Sequence, residues 1–493
     1  MMELETNKPE QVQSQEPTLK EKTAKGLFWG GISTFVQQLI GMFFGIVIAR
    51  ILSPDDYGLV AMLAIFTAIA NMIMDSGFSV ALINRGTIIH KDYNAVFWFN
   101  IFAGIGMYIV LFFCAPLIAD FYDQPVLTNL SRILFLSFVF AGAGIAHNAI
   151  LLKKLQAKQR GIIDMVSVFF SGSIGLILAL NGFAFWGLAI QQVIQTCISV
   201  VLRWYFSQWK PTFQFDFSPL KEMFGFSIKL FITNVFMQIT SNLFSAVLGK
   251  LYGKAETGYY AQGSKWAGLS HFVIIGTINS IAQPVLVEAK TDLSRQLKIF
   301  RKMIRFGALI TFPVLLGFAF ASREFILITV GEKWLHSVIY VQLFSVWGVN
   351  SYLSSLYILL MLSHEKSTVY MNMMVALFVS QLICLFLCSS YGILVMVCVY
   401  IGLYVFSTLG WHYFAHKLIG LTIKDVIMDM FPYISTTIIS IGLAWFLSMG
   451  VENIYLKFII KILSMAIIYC AILWRADSVI FKESLNYLKG KKI

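Results

Sequence analysis

Long apolar runs follow one another along this chain, with short polar connections between them. The first run, residues 27–51, would extend about 37 Å as an α-helix at about 1.5 Å per residue, which is enough to cross the roughly 30 Å core of a bilayer. Similar runs lie at 57–81, 94–119, 129–151, 162–180, 183–203, 223–249, 258–287, 304–321, 337–362, 369–389, 392–411, 430–448 and 456–474. We therefore predict an all-α polytopic membrane protein with about fourteen transmembrane helices.

Lysine and arginine are concentrated in alternate connections. If the N-terminus is cytoplasmic, the inside segments hold 27 of the 37 basic residues and the outside segments hold 5. Cytoplasmic connections are enriched in these residues, so we expect both termini to lie in the cytoplasm and the connections 250–257 and 321–336 to lie outside. The basic segment 294–305 has interleaved apolar side chains, which favours a helix lying on the anionic inner leaflet.

The composition agrees with a membrane protein and argues against a soluble domain, a nucleic-acid-binding protein and a metalloprotein. Hydrophobic residues make up 58% of the chain and charged residues 13%, about half the charged share of a soluble domain. The net charge of +12 is spread over short connections, so we expect no nucleic-acid partner. The six cysteines lie inside apolar runs without a CxxC motif, so we interpret them as small buried hydrophobes and expect no metal and no cofactor.

A polar corner between two apolar runs occurs twice, 200 residues apart. Residues 49–61 read "ARILSPDDYGLVA" and residues 249–261 read "GKLYGKAETGYYA", so that Gly58 aligns with Gly258. Six predicted helices separate the two copies, and an even number makes both copies cross the membrane in the same direction. The pattern therefore predicts a parallel repeat of two six-helix lobes, related by a pseudo-twofold axis along the membrane normal.

The charges at this corner have two explanations. Arg50 and Lys250 each end a helix, where a cation interacts favourably with the helix dipole. Alternatively, both cations contact a substrate at the outer mouth of a cavity. The residues leave both explanations open.

A polar stripe recurs in the first and seventh predicted helices. Asn234 and Gln238 lie on one face of the seventh helix, and Gln38 occupies the position of Gln238 in the first. Matching polar stripes in two lobes are expected of two walls that share a cavity. The alternative is helix packing through small and polar residues.

Lys265 is the candidate for binding an anionic group. It lies about 10 Å from the outer end of the eighth predicted helix, and Asn279 and Gln283 share its face. Exposure of a charge to lipid at depth would cost about 2.5–3.5 kcal/mol, so we expect this face to line a polar cavity. An ion pair with an unidentified carboxylate or snorkelling to the interface is the alternative.

The predicted intramembrane charges are mostly cationic. They are Arg50, Arg132, Lys229, Lys265 and Lys461, with Asp75 and Asp164 as the carboxylates. A cationic excess suits an anionic substrate. Asp75 and Asp164 lie near the cytoplasmic side, where they either couple transport to H⁺ or Na⁺ or pair with local bases, and the sequence leaves both possibilities open.

Four segments resemble a known family: "GLFWGGISTFVQQLIGMFFGIVIARILSPDDYGLVAM", "DSGFSVALINR", "GYYAQGSKWAGL" and "IAQPVL". They are similar to the polysaccharide-transporter branch of the multidrug/oligosaccharidyl-lipid/polysaccharide exporter superfamily, in particular to flippases of the O-antigen, colanic-acid and teichuronic-acid type. The resemblance covers roughly residues 25–420, and the last two predicted helices diverge from it.

The resemblance implies a V-shaped bundle that works by alternating access. It implies an oligosaccharide linked to undecaprenyl diphosphate as the substrate, moved across a bacterial inner membrane for assembly of O-antigen, capsule or exopolysaccharide. Membrane lipids and polysaccharide polymerase or assembly proteins are the implied partners. A cation-coupled drug or small-molecule antiporter of the same superfamily is the alternative. A polytopic glycosyltransferase or polymerase fits less well, because the outer connections are short and lack paired carboxylates, so we expect no catalytic residues.

The sequence divides into six predicted segments. They are a polar tail (1–26), an N-terminal lobe (27–203), a linker (204–222), a C-terminal lobe (223–413), an appended helix pair (430–474) and a basic tail (475–493). The appended pair is apolar and lies outside the repeat, so we expect it to border a lateral gap through which a polyprenyl tail stays in lipid.

Overall fold

A computed structural model describes residues 19–75, 82 and 88–488, without the side chains of 19–28, 73–75, 222–237, 239–241, 273, 277, 279–281, 484–485 and 487–488. In this part of the chain, eleven helices are long and apolar enough to cross a membrane, or twelve if one bent pair forms a single span. The prediction of an all-helical multi-pass membrane protein is confirmed, while the count of fourteen stays a prediction.

The first half of the fold consists of helices joined by short turns. They are α1 (Leu19–Ile51), α2 (Pro54–Met62), α3 (Ala64–Asp75), α4 (His90–Tyr122), α5 (Leu127–Gly142), α6 (Ile145–Lys153), α7 (Ala157–Leu180) and α8 (Ala184–Ser207). A capping box of Ser53 and Asp56, with Pro54 in the first turn, starts α2 one turn after α1 ends. The run predicted at 129–151 is bent by 46° between α5 and α6.

One long element, α9 (Ser218–Glu288), contains the helices predicted at 223–249 and 258–287. The predicted connection 250–257 is shorter than expected, because its residues are helical on both sides of a bend. Gly253 makes the bend alone, with φ 80° and ψ −176°. This conformation is accessible to glycine because it has no Cβ, so a single residue replaces an eight-residue connection.

The second half is also helical. It contains α10 (Leu293–Thr311), a π-helical turn (Phe312–Leu316), α11 (Gly317–Thr329), a 3₁₀ turn (Glu332–Trp334), α12 (Ser337–Ser363), α13 (Ser367–Cys388), α14 (Ile393–Ile419), α15 (Ile423–Ser448), α16 (Ile454–Arg475) and α17 (Val479–Leu488). The predicted outer connection 321–336 is shorter than expected, because α11 continues to Thr329.

The basic segment 294–305 does not form a separate interfacial helix. It is the start of a continuous span, Leu293–Thr329, and Phe300 on its apolar side is fully buried in the core. On its other side, Arg301 pairs with Asp429 at 2.7 Å, and Lys302 pairs with Glu483 at 2.6 Å. The segment thus packs within the chain on two sides, and its expected contact with the inner leaflet stays a prediction.

The two copies of the polar corner touch each other, and we name residues 54–58 and 254–258 the glycine corner. An added Cβ on Gly58 would lie 2.6 Å from the Lys254 carbonyl carbon, and one on Gly258 would lie 2.8 Å from the Pro54 carbonyl carbon. Position 58 thus meets position 254 and position 258 meets position 54, which is the reciprocal contact of a twofold arrangement. Glycine is needed because no side chain fits between these backbones.

The predicted linker is attached to the N-terminal half. Residues 208–217 are non-helical, and Asn94 holds them by donating to the Gln214 carbonyl at 2.7 Å and accepting from the Thr212 amide at 2.9 Å. The Lys91 ammonium bonds the Asp216 carboxylate at 2.6 Å and holds the pKa of that carboxyl well below its usual range. These contacts fix the path of the segment across the start of α4.

Ion pairs connect the appended helices α15 and α16 to the rest of the fold. Lys461 of α16 bonds Glu324 of α11 at 2.8 Å, and both side chains are more than nine-tenths buried. The second oxygen of Glu324 has no hydrogen-bond partner in the described part of the structure. A buried pair of this kind is costly to break, because removal of one member leaves the other charge uncompensated.

Candidate functional site

A polar cavity of about 720 Å³ lies among α1, α2, α3, α5, α7, α8 and the second half of α9. It contains side chains from both copies of the repeated corner region, since Tyr57 of α2 and Ala261 of α9 both line it. Its charged lining residues, among those the structure describes, are Asp164, Arg203 and Lys265. The cavity therefore brings two cations and one carboxylate into an otherwise apolar bundle.

Lys265 faces the open interior of this cavity. Its ammonium lies 5.4 Å from the centre of the Trp266 ring, and an added Cβ on Gly45 would lie 3.0 Å from Nζ. The bare backbone of Gly45 thus leaves room for the ammonium group. No described carboxylate forms an ion pair with Lys265. The placement favours the predicted cavity-facing role over the structural ion pair.

Asp164 and Arg203 lie together at one side of the cavity. A recess of about 70 Å³ opens there, and Asn148, Arg160, Asp164 and Arg203 provide its polar lining. The Asp164 charge interacts with both arginines. This placement favours pairing with local bases over cation binding. Within the described residues, no group of three or more His, Cys, Asp or Glu is arranged to hold a metal ion.

A row of polar side chains runs along α8 to Arg203. Gln191, Gln195, Ser199 and Arg203 recur at four-residue steps and all line the cavity. At about 1.5 Å per residue the row extends roughly 18 Å along the helix. None of these residues is among the predicted site residues, although the four-residue spacing of polar side chains in an apolar helix is visible in the sequence. Arg203 is the last residue of the predicted run 183–203.

The corner cations lie outside the cavity lining. Arg50 donates from its guanidinium to the backbone carbonyls of Ile328 and Thr329, at the C-terminal end of α11. Lys250 pairs with Asp123 at 2.7 Å, and both side chains are exposed. Both cations thus have partners within the chain, although Arg50 contacts the C-terminal end of α11 rather than the end of its own helix.

The predicted amide stripe is placed differently from the prediction. Gln37, rather than Gln38, lines the cavity, and neighbouring helix positions point about 100° apart. Gln238 is half-buried and Gln283 is exposed, and neither belongs to the cavity lining. The side chains of Asn234, Asn279 and Asp75 lie outside the described residues.

The connection before α12 covers one end of the cavity. The ring of Tyr57, which lines the cavity, packs edge-on against Trp334 with ring centres 5.3 Å apart. The Trp334 indole donates to the Ala49 carbonyl at 2.8 Å, and Lys333 donates to the Arg50 carbonyl at 2.8 Å. Buried aromatic packing therefore closes the cavity beside the glycine corner.

Comparisons with known proteins agree with one another. The model of a family described as polysaccharide biosynthesis protein matches residues 47–339. The chain is 25% identical over 335 residues to the teichuronic acid biosynthesis protein TuaB of Bacillus subtilis (strain 168), covering 68% of this chain and 69% of the relative. It is 25% identical over 338 residues to the lipopolysaccharide biosynthesis protein WzxC of Escherichia coli (strain K12), covering 67% and 68%.

A solved structure shares the fold. The lipid II flippase MurJ, in an inward closed conformation, matches with a TM-score of 0.77 and 15% sequence identity. The match covers 92% of this chain and 99% of MurJ. At this level of identity the likeness concerns the arrangement of helices.

Proposed function

This chain belongs to the polysaccharide biosynthesis protein family, and we propose that it is a flippase for a lipid-linked oligosaccharide. The observation that carries the proposal is a cavity of about 720 Å³, lined by Lys265 and Arg203, inside a multi-pass membrane bundle. The named relatives serve teichuronic acid and lipopolysaccharide biosynthesis, and the structural neighbour is a lipid II flippase. The proposed activity is transport without covalent chemistry.

The two cations suit a diphosphate head group. A charged group loses hydration when it enters a bundle of apolar helices, and nearby opposite charges offset that loss. Two unit charges about 4 Å apart attract by roughly 4 kcal/mol at an effective dielectric constant of 20. Lys265 has no described carboxylate partner, so its charge is available to a ligand. We propose undecaprenyl diphosphate as the lipid carrier of the glycan.

The proposed orientation places both termini in the cytoplasm of a bacterium, with the chain in the inner membrane. The support is the charge distribution, with 27 of the 37 basic residues in the inside segments. Segments 27–203 and 223–413 are proposed to rock against each other as two lobes. The reciprocal contact at the glycine corner supports this division. Polysaccharide polymerase and assembly proteins are the proposed partners.

A cation-coupled antiporter of the same superfamily is less well supported. That function requires a carboxylate able to bind a cation inside the membrane. Asp164 is the carboxylate of the described cavity lining, and it interacts with Arg160 and Arg203. Two neighbouring positive charges disfavour a bound cation at this place.

Substitution of Lys265 tests the proposed function. Loss of a hydrogen bond to a charged group costs about 1.5–3 kcal/mol, so Lys265→Ala should weaken head-group binding roughly 10- to 150-fold. Lys265→Arg should keep part of the activity, and Lys265→Glu should abolish it. The assay is glycan export in a strain that lacks the endogenous gene, with membrane abundance held equal.

Lys250→Glu is the matched control, because Lys250 is an exposed lysine of the same element, α9, and lies outside the cavity. It should export glycan at close to the normal rate. Normal export by Lys265→Glu would contradict the head-group role of Lys265.

A further inference from the structure

The side of α8 that faces the cavity carries mainly amides and hydroxyls. Gln191, Gln192 and Gln195 line the cavity, together with Thr196 and Ser199. The glutamine side chains are half-buried, and each has two donor hydrogens and an acceptor oxygen. An amide array of this kind can exchange hydrogen bonds with groups that both donate and accept, as sugar hydroxyls do.

Gln262 faces this array from α9. Its side chain is 1% exposed and lines the cavity. Neither its amide nitrogen nor its amide oxygen has a hydrogen-bond partner among the described residues. The Tyr57 hydroxyl, which also lines the cavity, lies beside this amide. A buried amide without a partner costs free energy, which a ligand entering the cavity would recover.

We propose that the amide face of α8, together with Gln262, is a sugar subsite that binds the neutral sugar next to the diphosphate. This inference rests on the proposed function and names the class of sugar that the cavity takes. A volume of about 720 Å³ lies within the usual range of small-molecule sites, roughly 300–1,000 Å³. It suits a head group and its first sugar rather than a long glycan.

The charge pattern selects against an acidic sugar at this position. The described cations of the cavity lining are Arg203 and Lys265, and Asp164 lies beside Arg203. A diphosphate needs these cations, so the carboxylate of a uronic acid would lie among neutral amides without a counter-charge. Hydroxyl groups need no counter-charge and pair with amides directly.

A neighbouring glycine positions one of these amides. An added Cβ on Gly175 of α7 would lie 2.6 Å from Oε1 of Gln191. Gly175→Ala should therefore displace the Gln191 side chain without removing any polar group. Gly106→Ala is the matched control, because an added Cβ on Gly106 meets nothing within 4 Å.

The test measures binding by the full-length protein in lipid nanodiscs. Three probes are used: undecaprenyl diphosphate alone, the same lipid bearing one neutral hexose, and the same lipid bearing one hexuronic acid. We expect the neutral-hexose probe to bind about tenfold or more tightly than the bare lipid, since each net hydrogen bond contributes about 2- to 12-fold. The uronic-acid probe should bind no more tightly than the bare lipid.

Two variants test whether the advantage of the neutral-hexose probe depends on the amides. Gln195→Met and Gln262→Met keep the side-chain volume but remove the amide, so each should reduce the advantage of the neutral-hexose probe about 3- to 10-fold. The advantage is the ratio of the affinity for the hexose-bearing lipid to the affinity for the bare lipid, measured for each variant. Gln342→Met is the matched control, because Gln342 is a half-buried glutamine of α12 outside the cavity.

The outcomes separate the two proposals. Equal binding of bare and hexose-bearing lipid, a stronger response to the uronic acid, or an unchanged advantage in both glutamine variants would overturn the sugar subsite alone. Failure of all three probes to bind the unaltered protein would overturn the proposed function, and the subsite with it.

Discussion

Replacement of Gly258 by alanine tests whether the glycine corner is the closed end of the cavity. In an ordinary helix this change is favourable by roughly 0.5–1 kcal/mol, because glycine loses more backbone freedom on folding. At position 258 the same replacement should instead be destabilising. An added Cβ would lie 2.8 Å from the Pro54 carbonyl carbon and 3.2 Å from the Gly58 amide nitrogen.

The magnitude follows from this geometry. Ordinary contact with a Cβ begins at 3.4 Å, so a carbonyl carbon at 2.8 Å must move by at least 0.6 Å. The obstacle is backbone on both sides and cannot rotate away, so the two corner copies must separate. Overpacking costs about 1–3 kcal/mol. At about 1.4 kcal/mol per tenfold, the population with a closed corner should fall roughly 5- to 150-fold.

The assay is disulfide cross-linking across the corner. Asp55 and Lys254 form an ion pair at 2.9 Å, so Asp55→Cys with Lys254→Cys places thiols on two residues whose side chains meet across the corner. The six native cysteines are replaced first, because all are free thiols. We expect Gly258→Ala to lower the cross-linking rate and to reduce glycan export, since the transporter closes this end less often.

Gly268→Ala is the control, because it lies on the same helix and an added Cβ there meets nothing within 4 Å. Its cross-linking should match that of the parent. If Gly258→Ala cross-links as fast as Gly268→Ala, the corner does not determine closure and the reasoning is refuted.

Three further predictions concern the orientation and the attachment of the outer elements. Lys298→Cys should resist an impermeant maleimide in intact spheroplasts and react after lysis, and labelling before lysis would contradict the proposed cytoplasmic position of the start of α10. Lys461→Ala should lower the free energy of unfolding by about 3–5 kcal/mol because it leaves Glu324 buried and unpaired, whereas Lys461→Met combined with Glu324→Leu should restore most of it; a chemical-denaturation series measures both. Asn94→Leu removes both hydrogen bonds to the linker and should lower the thermal midpoint, with an unchanged midpoint arguing against a fixed linker.

Much of the fold was predictable from the sequence, because long apolar runs indicate which segments form membrane-spanning helices. The runs at 27–51 and 337–362 correspond closely to α1 and α12. The family resemblance is confirmed by the match to residues 47–339, which lies within the predicted range 25–420. The prediction that Lys265 faces a polar cavity agrees with its place in the cavity lining, although Gln283, one of the amides from which it was argued, lies outside that lining. Its role in binding stays a prediction.

Other features depend on residues far apart in the chain, and hydropathy contains no information about them. Gly253 turns a predicted connection into a bend within α9, and the corner glycines are needed because segments 200 residues apart touch. The partners of Arg50 lie 278 and 279 residues further on, so its contacts could not be derived from local pattern.

The set of residues that line the cavity also depends on packing between distant segments. Gln37 lines it and Gln38 does not, because the rotation of each helix is determined by the neighbours that pack against it. The amide row of α8 shares a cavity with Gln262 and Lys265 only because packing brings α9 beside α8. Sequence determined which segments are helical and apolar, whereas tertiary packing determined which polar faces share one enclosed space, since that depends on contacts between helices.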